Sequence, residues 1–325
     1  MHELLLKRLA DGRFHSGEEL ASDLGLSRSA VWKQLKKLEN LDITIDAVRG
    51  RGYRWAQAIP LLAERDIFQA LTENSRTRIS AMEVHLELPS TNQYLMEKMR
   101  SGRIEPGHVC LAERQTNGRG RRGKTWISPM CGNVYLSLSW QFQSSPAALG
   151  GLSLAIGVAV IRALSAMGIR NLGLKWPNDI YANHRKLAGI LLEMQGEAQG
   201  PCQVVIGLGI NVRMPQVLGQ AIEQDWVDLH SLLPGITEQR NALVASLLNQ
   251  IVQVVQEYDQ QGFAATQQEW QQLDVTYGNM IEIHLPQEKV VGKACGIDQD
   301  GALLLECNGS MQRYTIGDVS VRLPA

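Results

Sequence analysis

The sequence has no two cysteines at the C-x-x-C spacing, although it contains five cysteines in 325 residues. They are scattered along the chain, at positions 110, 131, 202, 295 and 307. Pairs of cysteines at C-x-x-C spacing are typical of zinc sites and redox motifs. A high density of cysteines, even in number, is typical of small secreted proteins with disulfide bonds. The pattern therefore favours reduced thiols and a cytoplasmic location, and it argues against zinc sites or disulfide bonds.

Long apolar runs and a strong net charge are also missing. The longest apolar stretch, 149–161, contains three glycines and falls short of a membrane span. The apolar run near the N-terminus is too short for a signal peptide, and Asp11 and Arg13 close it. A net charge of −1 means that any binding to nucleic acid must be local. The length predicts two or three domains. The short apolar runs predict that the protein has no membrane partner.

Three short helices are predicted at the start of the chain. Leucines at positions 5, 6 and 9 form an apolar stripe that stops near Gly12. Ser16 and Glu19 form a capping-box pattern, and Gly25 ends the second helix. Ser27 then caps a third helix, whose buried stripe we expect at Val31, Leu35 and Leu38.

The third helix and the segment after it are basic. Residues 28–54 hold seven Lys or Arg and three Asp or Glu, a local charge of +4. Two short strands follow the helix, joined by a turn at Gly50 and Gly52. This order predicts a winged helix-turn-helix that binds DNA through Arg28, Ser29, Trp32, Lys33 and Lys36 on the helix and through Arg49, Arg51 and Arg54 at the wing tip. The alternative is a small helical interaction module with a solvated basic face.

Residues 117–125 match two phosphate-loop patterns at once. Gly118, Gly120 and Gly123 spell G-x-G-x-x-G, and Lys124 with Thr125 completes G-x-x-x-x-G-K-T. Both motifs need a helix to begin at the last glycine, and here an alternating segment, "NVYLSLSW", predicts a strand instead. We therefore exclude both motifs and expect a mobile cationic glycine loop for an anionic ligand. A plain basic surface loop, or a second nucleic-acid patch, stays open.

The remaining segments predict further elements. We expect helices over 62–73 and 240–262, the second separating the C-terminal part from the central sheet. From about residue 272, short alternating strands predict a small barrel with turns at 286–287, 298–301 and 308–309.

Five segments occur in a recognisable order: "LPSTNQYL", "ERQTNGRGRRGKTW", "LKWPNDIY", "RKLAGILLE" and "GLGINV". Together they resemble the catalytic domain of biotin–protein ligases. With the winged helix in front, the whole chain resembles the bifunctional biotin–protein ligase and biotin operon repressor family. The resemblance implies an α+β fold with three domains: a winged helix-turn-helix at 1–60, a mixed α/β ligase domain of the biotin and lipoate ligase class at 65–270, and an SH3-like barrel at 271–325.

By the same resemblance, small polar side chains and the glycine loop bind biotin. The implied set is Ser90, Thr91, Asn92, Gln115, Arg119, Gly120, Arg121, Tyr135, Lys186, Gly189, Leu191 and Gly207. The first three and Gln115 would meet the ureido ring, which a site of such donors selects because analogues leave its polar groups unpaired. The alternatives are that Ser90–Asn92 is simply a helix N-cap, and that Tyr135, Leu191 and the glycines are core.

The resemblance also implies a nucleotide site, made of Arg119, Arg121, Asn178, Lys186, Asn211, Trp226 and Arg322. Cations at Arg119, Arg121 and Lys186 would offset the repulsion between a carboxylate and an α-phosphate, and Asp179 would order the loop or assist amine deprotonation. Glu282 stands where relatives often carry lysine, which puts a contact of that strand with ATP in doubt. No metal site made of protein side chains is predicted.

The implied reaction joins biotin to Mg²⁺-ATP, giving biotinyl-5′-AMP and pyrophosphate, and then passes biotin to a lysine of a biotin carboxyl carrier protein. The implied partners are that carrier, a palindromic operator DNA and a second copy of the chain, which dimerises when biotinyl-AMP binds. Two alternatives stay open: a biotin-sensing transcription factor without ligase activity, and a lipoate–protein ligase.

Overall fold

The computed structural model describes residues 2–39, 41, 43–196, 200–285, 288–315 and 320–322. The predicted turn at 286–287 lies outside these residues. No described helix is both long enough and apolar enough for a bilayer crossing.

The N-terminal part is a helical unit followed by a two-stranded hairpin. Its elements are α1 His2–Leu9, α2 Gly17–Leu24, α3 Arg28–Glu39, β1 Ile45–Val48 and β2 Gly52–Trp55. The Ser16–Glu19 capping box is present, and Gly25 ends α2 in the left-handed region with φ 62°. The predicted stripe at Val31, Leu35 and Leu38 is buried. These details confirm the winged helix-turn-helix expectation for the fold.

Gly52 is required by a close approach at the start of β2. Its φ is +100°, and a Cβ there would lie 2.0 Å from the carbonyl oxygen of His15. His15 and Tyr53 exchange backbone hydrogen bonds of 2.8 Å in both directions, which ties the wing to the segment before α2. Any other residue at position 52 would break this contact.

One prediction for the wing is wrong. Arg54 does not lie at the tip, because it belongs to β2 and faces Asp46 across the hairpin. The two side chains form an ion pair with an Nη2–Oδ2 distance of 2.5 Å. Phe14 lies beneath both Arg54 and Arg51, with its ring centroid 4.7 and 4.2 Å from their guanidinium carbons. The cross-strand pair places Arg54 one side chain back from the turn.

The central part is a seven-stranded sheet with helices on both sides. Its strands are β3 Ala81–His85, β4 His108–Ala112, β5 Val134–Phe142, β6 Leu172–Lys175, β7 Asp179–Ala182, β8 Arg185–Gly196 and β9 Cys202–Ile210. Its helices are α4 Glu64–Ala70, α5 Glu73–Arg78, α6 Thr91–Arg100, α7 Leu152–Ala166, α8 Gln216–Gly219, α9 Leu229–Leu232, α10 Arg240–Gln261 and α11 Ala264–Leu273. The strand order is β3-β4-β5-β9-β8-β7-β6, with only β3 and β4 parallel.

Two helix predictions need correction. The segment 62–73 holds α4 and the start of a second helix, because Leu71 is extended and Thr72 caps α5 by accepting a hydrogen bond from Ser75 N. Helix α10 has nearly the predicted bounds, but it does not separate the sheet from the C-terminal part. It packs on α7 and α4 and against β5, so it belongs to the helical layer of the central part. Its many buried apolar residues follow from that double packing.

The C-terminal part is a small antiparallel sheet. Its strands are β10 Met280–His284, β11 Lys289–Ile297, β12 Leu303–Cys307, β13 Ser310–Tyr314 and β14 Ser320–Arg322, in the order β13-β12-β11-β10-β14. The predicted turns at 298–301 and 308–309 are present, with Gly301 N donating to the Asp298 carbonyl. Strand β14 returns antiparallel beside β10, so that β13 and β14 are the two outer strands of this sheet.

A buried charged network joins the segment after the wing to the central sheet. Arg240 is fully buried, and its Nη2 lies 2.6 Å from Oε2 of Glu113, which is 2% exposed. Arg240 also donates to the carbonyl oxygens of Pro60, Cys131 and Asn133. The other Glu113 oxygen accepts from Leu62 N at 2.5 Å. We call these groups the Arg240 network; it pins the linker to both ends of the segment that carries the glycine loop.

Candidate functional site

One face of the central sheet carries a row of residues that are aligned across neighbouring strands by the hydrogen-bond register. Lys175 pairs with Asp179, Asp179 with Gly189, Gly189 with Gly209, and Gly209 with Tyr135. Directly opposite residues of antiparallel strands point to the same face, so all five lie on one side. We call this side the ligand face.

Glycines at the centre of the ligand face leave room for other groups to approach the sheet. We call Gly189, Gly207 and Gly209 the glycine floor. A Cβ at Gly207 would lie 2.1 Å from Oδ1 of Asn92, and a Cβ at Gly209 would lie 2.6 Å from Cε2 of Trp126. Side chains at these positions would therefore displace the groups that stand on the floor.

A buried polar network stands over one end of the floor, where α6 begins. Ser137 Oγ donates to Asn92 Oδ1 or Thr91 Oγ1, at 2.6 and 2.8 Å. Thr91 N and Oγ1 both donate to Gln115 Oε1, at 2.9 and 3.2 Å. Asn92 Nδ2 donates to Glu193 Oε2 at 2.9 Å. The network fixes which donors and acceptors point into the cleft.

Ser90 also has the structural role that was the alternative to ligand binding. It is the N-cap of α6, and its Oγ accepts from Gln93 N at 3.4 Å. Its side chain is buried beside the network, at 3% exposure. The helix-cap interpretation is therefore correct for Ser90, while Thr91 and Asn92 face the sheet.

The glycine loop, residues 117–125, is a compact turn beside the floor. Gly120 N donates to Lys124 O at 2.7 Å, and Trp126 N donates to Gly118 O at 2.9 Å. A single 3-10 turn, Arg121–Gly123, is followed by extended chain and then by β5. Because no helix starts there, the exclusion of both phosphate-loop motifs is confirmed.

The three candidate cations are each held by a different partner. Arg119 Nη2 lies 3.1 Å from Glu193 Oε2, Arg121 Nη1 donates to Asn178 Oδ1 at 3.2 Å, and Lys186 Nζ lies 2.8 Å from Asp179 Oδ1. Arg119 is thus at the end of the floor nearest Asn92, whereas Arg121 is at the end nearest Lys186.

Trp126, Ser137 and Glu193 belong to this site, although none was among the predicted site residues. The Trp126 ring stands on Gly189 and Gly209, with Lys186 Nζ 5.6 Å from its centroid. The "GKTW" and "LLE" ends of two quoted segments contain Trp126 and Glu193. A small hydroxyl within the apolar strand "NVYLSLSW" was the available signal for Ser137.

Tyr135 is completely enclosed, at 1% exposure, and its hydroxyl donates to Pro129 O at 3.0 Å. Burial raises the pKa of this phenol well above its ordinary value. Of the two interpretations for Tyr135, core packing at the margin of the ligand face is the one that this enclosure favours.

Two of the predicted nucleotide residues, Trp226 and Asn211, lie near Lys186. Lys186 N donates to Asp225 O at 3.0 Å, and Val227 N donates to Lys186 O at 2.9 Å, so Trp226 lies beside Lys186. The half-buried Trp226 ring rests on Gly219, where its Nε1 donates to the carbonyl oxygen. Asn211, at 3% exposure, uses Nδ2 to hold Val227 O at 3.3 Å. Arg322 lies on β14, opposite Glu282.

Between the glycine loop and β8 lies an open cavity of about 280 Å³, lined by residues 117–125, Leu191 and Glu193. Its lining is strongly basic, with Arg119, Arg121, Arg122 and Lys124 around a single carboxylate. In the described residues, no three or more His, Cys, Asp or Glu side chains are grouped so as to bind a metal ion.

The candidate DNA-binding face is exposed as expected. Arg28, Ser29, Trp32, Lys33 and Lys36 lie on the solvent side of α3. Trp32 is 51% exposed, although it is large and aromatic, and Lys36 Nζ lies 6.0 Å from its ring centroid. Arg49 and Arg51 are exposed at the wing.

Comparison with family models gives three matches along the chain. An HTH domain matches residues 2–54, the biotin/lipoate A/B protein ligase family matches 86–211, and the biotin protein ligase C-terminal domain matches 276–322.

Individual proteins match over most of the chain. The bifunctional ligase/repressor BirA of Escherichia coli is 37% identical over 98% of this chain and 96% of its own length. The biotin–[acetyl-CoA-carboxylase] ligase of Mycobacterium tuberculosis is 34% identical over 73% of this chain and 88% of its own. A biotin protein ligase from Aquifex aeolicus, solved with biotin and ATP, is 25% identical with a TM-score of 0.63, covering 75% of this chain and all of that one.

Proposed function

The chain belongs to the BirA family of bifunctional biotin–protein ligases and repressors, and we propose that it activates biotin with ATP and transfers it to a carrier protein. The observation that carries the proposal is the ligand face. A buried polar network stands at one end of a glycine floor, Lys186 stands at the other, and a basic loop runs beside the floor between them. That arrangement suits a long molecule with a polar ring and an anionic tail.

The reaction has two steps. A carboxylate oxygen of biotin attacks the α-phosphorus of ATP, and the bond to the β-phosphate oxygen breaks, releasing pyrophosphate. The lysine amine of the carrier then attacks the activated carbonyl, a proton leaves the amine, and AMP departs. The protein forms no covalent bond in either step, so catalysis rests on positioning and on charge stabilisation.

The network over α6 would bind the ureido ring. Thr91, Asn92, Gln115 and Ser137 offer matched donors and acceptors, with Ser90 fixing the start of the helix. Leu191 and the glycine floor would contact the bicycle, and Trp126 would cover it. An analogue without the ureido atoms would leave buried polar groups unpaired, which costs about 1–3 kcal/mol for each group.

Lys186 and Arg121 would meet the carboxylate and the α-phosphate. Their present partners, Asp179 and Asn178, keep both cations beside the end of the floor. Trp226 and Asn211 flank Lys186 and would meet the adenine. Arg119 is held by Glu193 near Asn92, so we assign it to closing the glycine loop over biotin and not to the phosphate.

Mg²⁺ would enter with ATP. The described residues offer no cluster of carboxylates or imidazoles for it, and Asp179 is already paired with Lys186. Mg²⁺ in such sites is held largely by substrate phosphates and water, so this fits an ion carried by the nucleotide. When bound, it would withdraw charge from the phosphate oxygens.

We propose a biotin carboxyl carrier protein as the acceptor and the cytoplasm as the compartment. The M. tuberculosis relative is named for acetyl-CoA carboxylase, whose carrier is the source of the acceptor lysine. The cysteines are free and mostly buried, which fits a reducing compartment.

The direct test of function is a competition assay. The protein, Mg²⁺-ATP and a purified carrier domain should give one biotin per carrier, and a large excess of lipoate should leave the yield unchanged. A lipoylated carrier would identify a lipoate ligase. Tight biotin binding without pyrophosphate release would identify a sensor lacking ligase activity.

The winged helix would make the protein a repressor, and biotinyl-AMP would be its signal. One winged helix covers one half-site, so strong operator binding needs two copies of the chain. We propose that closing the glycine loop around the adenylate completes a dimer surface, because a ligand shifts an equilibrium only by differing affinity for its two states.

Sedimentation velocity measures this directly. The empty protein, and the protein with biotin alone, should sediment as a monomer at micromolar concentration. Addition of biotin with ATP should raise the mass towards that of a dimer. A mass that does not change when the adenylate forms would contradict ligand-driven dimerisation while leaving the ligase assignment intact.

A further inference from the structure

Lys175 is a half-buried lysine on the ligand face with no carboxylate partner. It occupies the edge strand β6, and its Nζ lies 3.1 Å from the Tyr181 hydroxyl and 5.1 Å from the Tyr181 ring centroid. Among the described residues, no acidic side chain comes within ion-pair distance of it. Two comparable lysines are paired: Lys186 with Asp179, and Lys98 with Glu83.

The surroundings of Lys175 are cationic. Burial lowers the pKa of its ammonium; the negative charge of Asp179 raises that pKa, and the positive charges of Lys186, Arg322 and Lys124 lower it. Asp179 is itself bound to Lys186. The three cations that act on Lys175 belong to the glycine loop, the central sheet and the C-terminal sheet. An excess of cations of this kind is unfavourable in the empty protein and favours a multiply charged anion.

The position of Lys175 on the sheet indicates which anion it would bind. In the aligned row it is one strand beyond Asp179, and so beyond Lys186, on the side away from the glycine floor and α6. Neighbouring strands are about 4.8 Å apart. A nucleotide whose α-phosphate lies at Lys186 would therefore extend its outer phosphates towards Lys175.

We propose that Lys175 binds the β- and γ-phosphates of ATP and stabilises the pyrophosphate that leaves. The inference rests on the proposed function. In the first step, the bond between the α-phosphorus and the bridging oxygen breaks, and its electron pair stays on pyrophosphate. The ammonium of Lys175 lies where that charge develops, which is where a cation accelerates the step. The second step releases AMP and has no use for it.

The test separates the two half-reactions in Lys175→Met and Lys175→Arg. Pyrophosphate release on mixing with biotin and Mg²⁺-ATP should fall roughly 10- to 100-fold in Lys175→Met and recover in Lys175→Arg. Transfer from chemically prepared biotinyl-AMP to the carrier should stay within about threefold of wild type in both. Because the ammonium is unfavourable in the empty site, Lys175→Met should also melt no lower than wild type without ligand.

The opposite results overturn the inference. Equal losses in both half-reactions, or a lower melting temperature in Lys175→Met, would make Lys175 a structural residue. Unchanged pyrophosphate release would remove it from the reaction. Failure of the proposed function is distinct, because wild type itself would then release no biotin-dependent pyrophosphate.

Discussion

Replacing Lys186 with glutamine should reduce biotinyl-AMP formation by roughly a hundred- to a thousandfold. In the described site, Lys186 contacts Asp179, lies beside Trp226 and has its ammonium close to the Trp126 ring. No other side chain there combines these three contacts. It would therefore touch the carboxylate, the α-phosphate and the ring-binding region at once. Glutamine keeps most of the length and loses the charge that offsets repulsion between the two anions. Single-turnover measurement of bound biotinyl-AMP gives the rate.

A matched control is Lys293→Gln, which removes an exposed lysine from β11 and should retain wild-type activity. Nonspecific binding of Lys186→Gln to DNA should be unchanged, because the basic face of α3 and the wing is separate from the ligand face. A variant that still forms adenylate at the wild-type rate would disprove the role of Lys186. Simultaneous loss of DNA binding would show that the two parts are not independent.

Replacing Arg240 with methionine should destabilise the protein by about 3–5 kcal/mol, because it leaves a buried carboxylate without its partner. Glu113 and Arg240 are both almost fully enclosed. The loss should appear as a lower midpoint of the thermal transition followed by far-UV circular dichroism. It should also free the linker, because Pro60 O and Leu62 N are held by the same pair.

The double variant Arg240→Met, Glu113→Gln provides the control. Glutamine keeps an acceptor for Leu62 N and removes the unpaired charge, so much of the lost stability should return. A single variant that loses less than about 1 kcal/mol would show that the network is not desolvated as described. A double variant less stable than the single one would contradict the charge argument.

Local rules predicted much of the fold. The Ser16–Glu19 capping box, Gly25 and the turn at Gly50 depend only on neighbouring residues, and each is present. The absence of a helix after Gly123 was likewise predictable, because Pro129 follows six positions later and an alternating strand segment comes after it. Such features form whatever the tertiary packing around them, because their hydrogen bonds join residues that are close in the sequence.

Contacts between distant segments were not predictable in this way. Glu113 and Arg240 are 127 positions apart, and the residues around each of them do not predict a buried ion pair. The place of Trp126 depends on glycines in two other strands, and the partner of Arg119 is Glu193, 74 residues away. Arg54 was placed wrongly because its cross-strand partner Asp46 is decided by the hairpin register.

The most direct test of the central claim is a crystal structure of the protein with biotin and a non-hydrolysable ATP analogue. The ureido ring should contact Thr91, Asn92, Gln115 and Ser137 over the glycine floor, and the carboxylate should lie beside Lys186 and Arg121. The outer phosphates should lie at Lys175. Biotin bound away from the glycine floor, or a nucleotide bound outside the cleft between the glycine loop and Lys186, would contradict the account.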